Sequence, residues 1–222
     1  MAVRHFAYGF KPQNFIAELR TCCHDRGQLQ VRKLHDCAQR TLENRTDAID
    51  EALIALRYGE TWIDGAEDEA DVAEKWFVLA LLKHLHKVPS LGRARPMHHV
   101  VLRALLPGTR WAGADIHRLI YGDGLASILC DSQIVVEPGT FAALPDYAGW
   151  LSGASVFDLQ QKLTAVRGAL MNLSQDQKRC LEQIFPAGQV DSAEVCQQAY
   201  ESGQRMLGGA IRKKQALFLV LD

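Results

Sequence analysis

The most continuously apolar run in the chain is Trp76–Leu82, WFVLALL. It lies inside a segment, Asp71–Lys87, whose pattern predicts one helix. Ala73 and Leu79 to Leu82 are good helix formers, and neither Gly nor Pro interrupts the segment before Pro89. Asp68 can cap its start, and Asp71 suits the positive end of the helix. Lys83, His84, His86 and Lys87 fall where a last turn favours cations. A surface helix shows one apolar stripe, whereas this one is apolar all round for about two turns, so it should be covered on most sides. The run is far below the roughly 20 apolar residues that span a bilayer. It reads as the spine of a core.

Around this spine the pattern changes period. Val3–Phe10 alternates, with Phe6, Tyr8 and Phe10 on one face, as in a half-buried strand. A helix starts at Lys11-Pro12 and runs to about Cys23, before Gly27. Leu29–Leu42 and Thr46–Tyr58 carry helical spacing, the second stopping at Gly59. Glu60–Ala70 is an acidic loop and Pro89–Pro96 a basic one. Met97–Leu106 and Ala114–Ile120 are helical, and Leu125–Leu129 fits helix or strand. Gln133–Glu137 has strand composition, and Pro145–Ser152 is a loop carrying Tyr147 and Trp150. Ala154–Leu170 is helical. Ser174 with Gln177, and Asp191 with Glu194, match the capping-box pattern, opening helices to about Ile184 and about Leu207. The chain closes on a short apolar strand, Ala216–Leu221. The obvious pairing partner for that strand is the first one. The expectation is therefore an α+β fold, a mostly helical single domain over residues 1–222 with a small sheet pairing the N-terminal and C-terminal strands.

Composition narrows the class. With 48% hydrophobic residues in 222, there is ample material for a packed core. The N-terminus lacks an uninterrupted apolar stretch, so no signal peptide is expected. Six cysteines in a chain this long are no dense disulfide framework, and reduced thiols in a cytoplasmic protein are the expectation. No membrane partner is expected. The net charge of −1 argues against non-specific nucleic-acid binding by the whole protein.

The order of elements is also familiar. A strand runs into a helix (HFAYGFKPQNFIAEL), and a helix ends in Leu56-Arg57-Tyr58-Gly59. A Trp-containing helical block leads to LIYGDGL, then to LPDYAGWL and another helix. The end is AYESGQRMLGGAIRKKQALFLVLD, a helix, a basic turn and an apolar strand. This order resembles the uncharacterised bacterial YfbM-like proteins and their relatives of unknown function. The resemblance implies a small cytoplasmic bacterial α+β protein. It implies no established activity and supplies no functional residues.

Candidate chemistry is sparse. Cys22, Cys23, His24, His35 and Cys37 lie within sixteen positions and are ligand types that zinc prefers. They form no knuckle on a turn, however, and adjacent Cys22 and Cys23 diverge on a helix by about 100°. Buried small hydrophobes with surface histidines are the plainer reading, so no metal is assigned. His84, His86, His98 and His99 form two pairs, and one histidine from each could converge if their helices made a hairpin. That would give two ligands and no obvious third. There is no G-x-S-x-G elbow, no H-E-x-x-H and no phosphate loop. No catalytic residue and no cofactor is assigned. Cys130 near His117 is a conceivable nucleophile–base pair that spacing cannot bring together. Trp62, Trp111, Tyr121, Tyr147 and Trp150 sit in predicted loops or helix ends, where they either line a pocket or plug the rim of the core.

Charge is distributed unevenly. From Glu43 to Glu74 there are eleven acids against two bases, Arg45 and Arg57. From Lys87 to Arg118 there are six bases against one acid, Asp115. The predicted central helix separates the blocks, so they should sit at opposite ends of one buried rod. The plain reading is two solvated faces. The functional reading is electrostatic docking of a protein partner, with Tyr58, Trp62, Asp64, Glu67 and Asp68 as the partner-binding set. In concrete form this is a non-enzymatic interaction module of immunity or antitoxin type that neutralises a basic bacterial toxin. The alternative is a small enzyme with an unrecognised Cys/His-containing active site, built from Cys130, His117 and the Tyr121–Trp150 loops. A basic surface around Arg93–Arg118 contacting nucleic acid ranks third.

Overall fold

The first and last strands pair along their full length. β1 (His5–Phe10) runs antiparallel to β6 (Ala216–Leu221), placing Phe6 opposite Val220, Tyr8 opposite Phe218 and Phe10 opposite Ala216. The computed structural model describes residues 4–25, 28–29, 31–44, 46–47, 49–50, 69–91, 98–132, 148–185 and 191–221. Among these, β4 (His86–Lys87) extends the sheet beyond β1, and β5 (Ala148–Leu151) extends it beyond β6. The order is β4-β1-β6-β5, antiparallel throughout. A separate two-stranded ladder, β2 (His24–Asp25) with β3 (Gln28–Leu29), follows α1 (Pro12–Cys23). The expected α+β fold with its terminal-strand sheet is the one observed.

Both faces of this sheet are covered. Antiparallel sheets commonly leave one face to water and show polar alternation; burial on both sides removes the alternation. That is why β6 reads ALFLVL, with five of its six residues buried. On one face, Phe6, Tyr8, Phe10, Trp150 and Phe218 meet α1, α2 (Val31–Glu43) and α3 (Glu69–Leu82). On the other face, Ala7, Leu151, Leu217 and Leu219 meet α4 (His98–Leu105), α5 (Gly113–Tyr121), α6 (Gly153–Ala165) and α9 (Ser192–Lys213). The short α7 (Arg167–Met171) and α8 (Gln175–Ile184) close that second layer.

The central helix is buried as expected. Phe77 to Leu82 are six consecutive residues at no more than 1% exposure, so no face of this stretch meets water. Its C-terminal boundary differs from the expectation. The helix stops at Leu82, and none of its last-turn residues is basic. Lys83 and His84 lie in a turn, and His86-Lys87 is an edge strand against Tyr8 and Gly9. The cations that suited a helix end belong instead to a turn and a sheet edge. Residues 51–68 lie outside the described residues, and so does the predicted separation of the charge blocks along the rod. The same holds for most of the Thr46–Tyr58 helix, the Gln133–Glu137 strand and Tyr147.

Three further boundaries moved. Ala148–Leu151, expected within a loop, is strand β5. Its length of four residues and its internal Gly hide it from periodicity. Gly149 is required there, because a Cβ would collide with the Tyr121 and Asp123 carbonyl oxygens. The turn at Gly122 (φ 80°) then lets Asp123 exchange both backbone hydrogen bonds with Trp150, at 2.7 and 2.9 Å. This closes the outer edge of β5, as exposed sheet edges require. Ala154–Leu170, expected as one helix, breaks at Val166 into α6 and α7. α9 passes the expected stop near Leu207 and runs on through Gly208 and Gly209 to Lys213. Those glycines are buried within the helix, and Lys214 (φ 52°) ends it in the left-handed conformation. The ambiguous Leu125–Leu129 stretch is a 3-10 helix, Leu125–Ser132.

Candidate functional site

The predicted partner-binding residues Tyr58, Trp62, Asp64, Glu67 and Asp68 all lie outside the described residues. What surrounds them is described. α2 packs directly against α3, so the acidic segment joins two helices that are neighbours in space. Ile49 is 3% exposed and reaches the aromatic core, anchoring the start of the segment. Around it Glu43, Asp47 and Asp50 are exposed, and none forms an ion pair among the described residues.

In the basic block, Arg118 is paired within the fold. Arg118 makes a bidentate contact with Asp123 at 2.9 and 3.2 Å, and its guanidinium also reaches Ser155 Oγ at 2.6 Å. Hydrogen bonding to Asp123 raises its pKa further. Asp115 receives Lys162 Nζ at 3.0 Å, joining α5 to α6. Arg103 donates to the Tyr121 hydroxyl at 3.3 Å. Arg118 is thus answered internally by the turn that caps β5.

Two titratable clusters were not anticipated. The first joins α1 to the turn after α3. Glu18 accepts from Lys83 Nζ and, at 2.7 Å, from His84 Nε2. The His84 ring also lies edge-on to Phe15, 5.6 Å between centroids. Burial, with the Lys83 charge alongside, lowers the His84 pKa to about 4. Lys83 and Glu18 already balance one another, so the half-buried imidazole stays neutral; burial lowers the Lys83 pKa as well.

The second cluster is a seam between β1, α4 and α9. His5 is fully buried, and its Nε2 lies 2.9 Å from the Ile120 carbonyl oxygen. A carbonyl only accepts, so Nε2 carries the proton; Nδ1 then accepts from the Leu91 backbone N–H at 3.3 Å. The His99 ring stacks against His5, 6.1 Å between centroids. His98 Nδ1 lies 2.5 Å from Ser202 Oγ, which also receives Arg205 at 3.3 Å. Burial is the main cause that lowers all three pKa values, His5 to about 3 and His99 to about 4, with His98 moving the same way. One sequence signal marks this seam: His5 is a polar residue inside the otherwise apolar strand HFAYGF.

The remaining candidates separate. His84 meets Glu18 while His98 and His99 meet Ser202 and His5, so the two histidine pairs do not converge. His86 is exposed in β4. Cys37 is buried in the aromatic core and receives Arg40 at 3.1 Å, whereas His35 is half-buried against Trp76, 4.6 Å between ring centroids. The side chains of Cys22, Cys23, His24 and Cys130 lie outside the described residues. No group of three metal-ligating side chains occurs among those described. Exposed His117 stacks on Tyr121 at 4.7 Å. Tyr121 borders the second core, while Trp150 is buried in the first with its Nε1 bound to Ser127 Oγ at 2.7 Å. Those two aromatics therefore pack on different core clusters. Trp111 is likewise a core residue, its Nε1 donating to the Lys162 carbonyl at 3.2 Å.

No protein-family model, no curated protein and no solved structure matches this chain. Among the described residues, no helix is long and apolar enough to cross a membrane.

Proposed function

We propose that the chain is a non-enzymatic protein-interaction module of immunity or antitoxin type, which neutralises a basic bacterial toxin through its Glu43–Glu74 segment. One observation carries this reading. The segment holds eleven acids against two bases, and its described flank keeps Glu43, Asp47 and Asp50 exposed, while Arg118 of the basic block is neutralised within the fold. A concentration of negative charge steers a cationic partner and raises its association rate. Tyr58 and Trp62, inside the same segment, are residue types that anchor interfaces. The folded body supports the reading from the other side. Its Arg118–Asp123 and Lys162–Asp115 pairs are occupied in joining elements.

The test is co-expression of the tagged chain with any toxin-domain protein encoded beside it. The wild type should co-purify with that protein and block its toxicity. Asp64→Lys, Glu67→Lys and Asp68→Lys combined should weaken the complex by about a hundredfold or more, because like charges then face each other. Unchanged binding and protection by the triple variant would rule out this face.

A further inference from the structure

We propose that the seam where β1, α4 and α9 meet is a proton-operated latch, which holds α4 against the sheet near neutral pH and releases it in mild acid. His5 has no room for a second proton. Its Nε2–H is given to Ile120, and its Nδ1 lone pair is taken by the Leu91 N–H. A proton on Nδ1 would set donor against donor in a fully buried site, where an unmet polar group is costly. His99, 4% exposed, is stacked on that ring, and its Nδ1 has no hydrogen-bond partner among the described residues. His98 Nδ1 lies 2.5 Å from Ser202 Oγ, a contact that ties α4 to α9 beside the His5–His99 pair.

Among the described residues, the surroundings supply no free counter-charge. β1 contributes His5 itself. α4 contributes Arg103 beside His99, and α9 contributes Arg205 beside His98, each of which opposes protonation. α5 offers a carbonyl and, through Arg103, the Tyr121 hydroxyl. α9 also presents Gln198 to His98; the carboxylate behind it, Glu194, is engaged by the Gln198 amide at 2.9 Å. α8 touches the far end of α4 through Gln177 and the Leu105 carbonyl, and its charged residues Asp176, Lys178, Arg179 and Glu182 are exposed. Protons entering the seam therefore meet arginines and one another.

α4 is suited to be the part that yields. It has eight residues, two of them these histidines, and is held by three further buried side chains, Val101, Leu102 and Leu105. A helix of two turns has little stability of its own and opens locally when its contacts fail. The long α6 and α9 flanking the second core contain no histidine.

The experiment follows backbone amide exchange of the full-length protein from pH 7 to 4, corrected for intrinsic rates, with histidine ring resonances recorded in parallel. The latch predicts that α4 amides lose protection relative to α6 amides, their opening constant rising about a hundredfold per pH unit for two protons taken up. His5 and His99 should remain neutral in the closed form below pH 5. His99→Phe, which keeps the stacked ring and removes its proton site, should reduce that slope by about tenfold per unit. A slope below tenfold per unit in the wild type, or α4 protection that tracks α6, overturns the proposal. So does a folded His99→Phe protein with the wild-type slope. Should that variant not fold, the wild-type exchange and ring titrations decide alone.

Discussion

The two faces of the sheet bury the same strands against different chemistry. The first face is aromatic: Phe6, Tyr8, Phe10 and Phe218 from the strands meet Phe15 and Phe77 from helices, with Phe15 and Phe77 edge-on at 5.2 Å. The second is mainly aliphatic, with Leu217 and Leu219 meeting leucines and valines of α4, α6 and α9. Each face also buries histidine, and there the contrast sharpens. On the first, His84 lies against the Glu18 carboxylate; on the second, His5 and His99 lie against each other. A buried imidazole is tolerated in both settings while neutral. Only the first supplies a carboxylate to meet a proton.

Adjacent residues of β6 compare the faces directly. Phe218→Ala should cost about 3–5 kcal/mol and Leu217→Ala about 2–5 kcal/mol, both measured by urea denaturation, because each removes a fully buried side chain. The aromatic site should be the costlier, since Phe218 also loses ring contacts with Tyr8. Equal losses would show that the two layers pack alike.

Acid compares the histidines. A histidine held below its ordinary value gives stability that is complete above pH 6.5 and declines as pH falls towards the folded value. For His84 that window runs from 6.5 to about 4, the same as for His99, while His5 extends it to about 3. Glu18→Gln takes away the carboxylate that Lys83 and His84 share. The variant should lose about 1–3 kcal/mol at pH 7 and go on losing stability below pH 4, where the His84 contribution of the wild type levels off. A decline that levels off at the same pH in both proteins would mean that Glu18 gives His84 no protection in acid.

The smallest expected effect lies away from both faces. Ser174 caps α8 by accepting from Gln177 N–H at 3.2 Å, while the Gln177 side chain accepts from Ser174 N–H at 3.0 Å. Ser174→Ala should cost about 1 kcal/mol in the urea midpoint and leave the acid profile unchanged. A changed profile would tie this exposed cap to the titrating seam.

What was legible in the sequence follows from range. The terminal strands, the buried spine and the Ser174–Gln177 box are local patterns, and the structure carries all three. β5 was missed because its identity depends on a neighbour: four residues with an internal Gly become a strand only when β6 and the Gly122 turn lie on either side. α9 was cut short because Gly208-Gly209 resembles a stop, whereas close contact with other elements retains them in the helix. The titratable clusters were invisible for the same reason. Glu18 and His84 stand 66 residues apart, and His98 and Ser202 stand 104 apart, with no periodicity to link them. Charge segregation, by contrast, is read from the sequence itself and needs no fold to be seen.

The reading of the acidic segment as a docking face is tested most directly by the affinity of the wild-type chain for the proposed toxin partner as a function of salt. Charge-steered docking predicts that raising sodium chloride from 0.05 M to 0.5 M weakens binding by about tenfold or more, mostly through a slower association rate, because screening shortens the reach of exposed charge. An affinity and an association rate that stay constant across that range would contradict it.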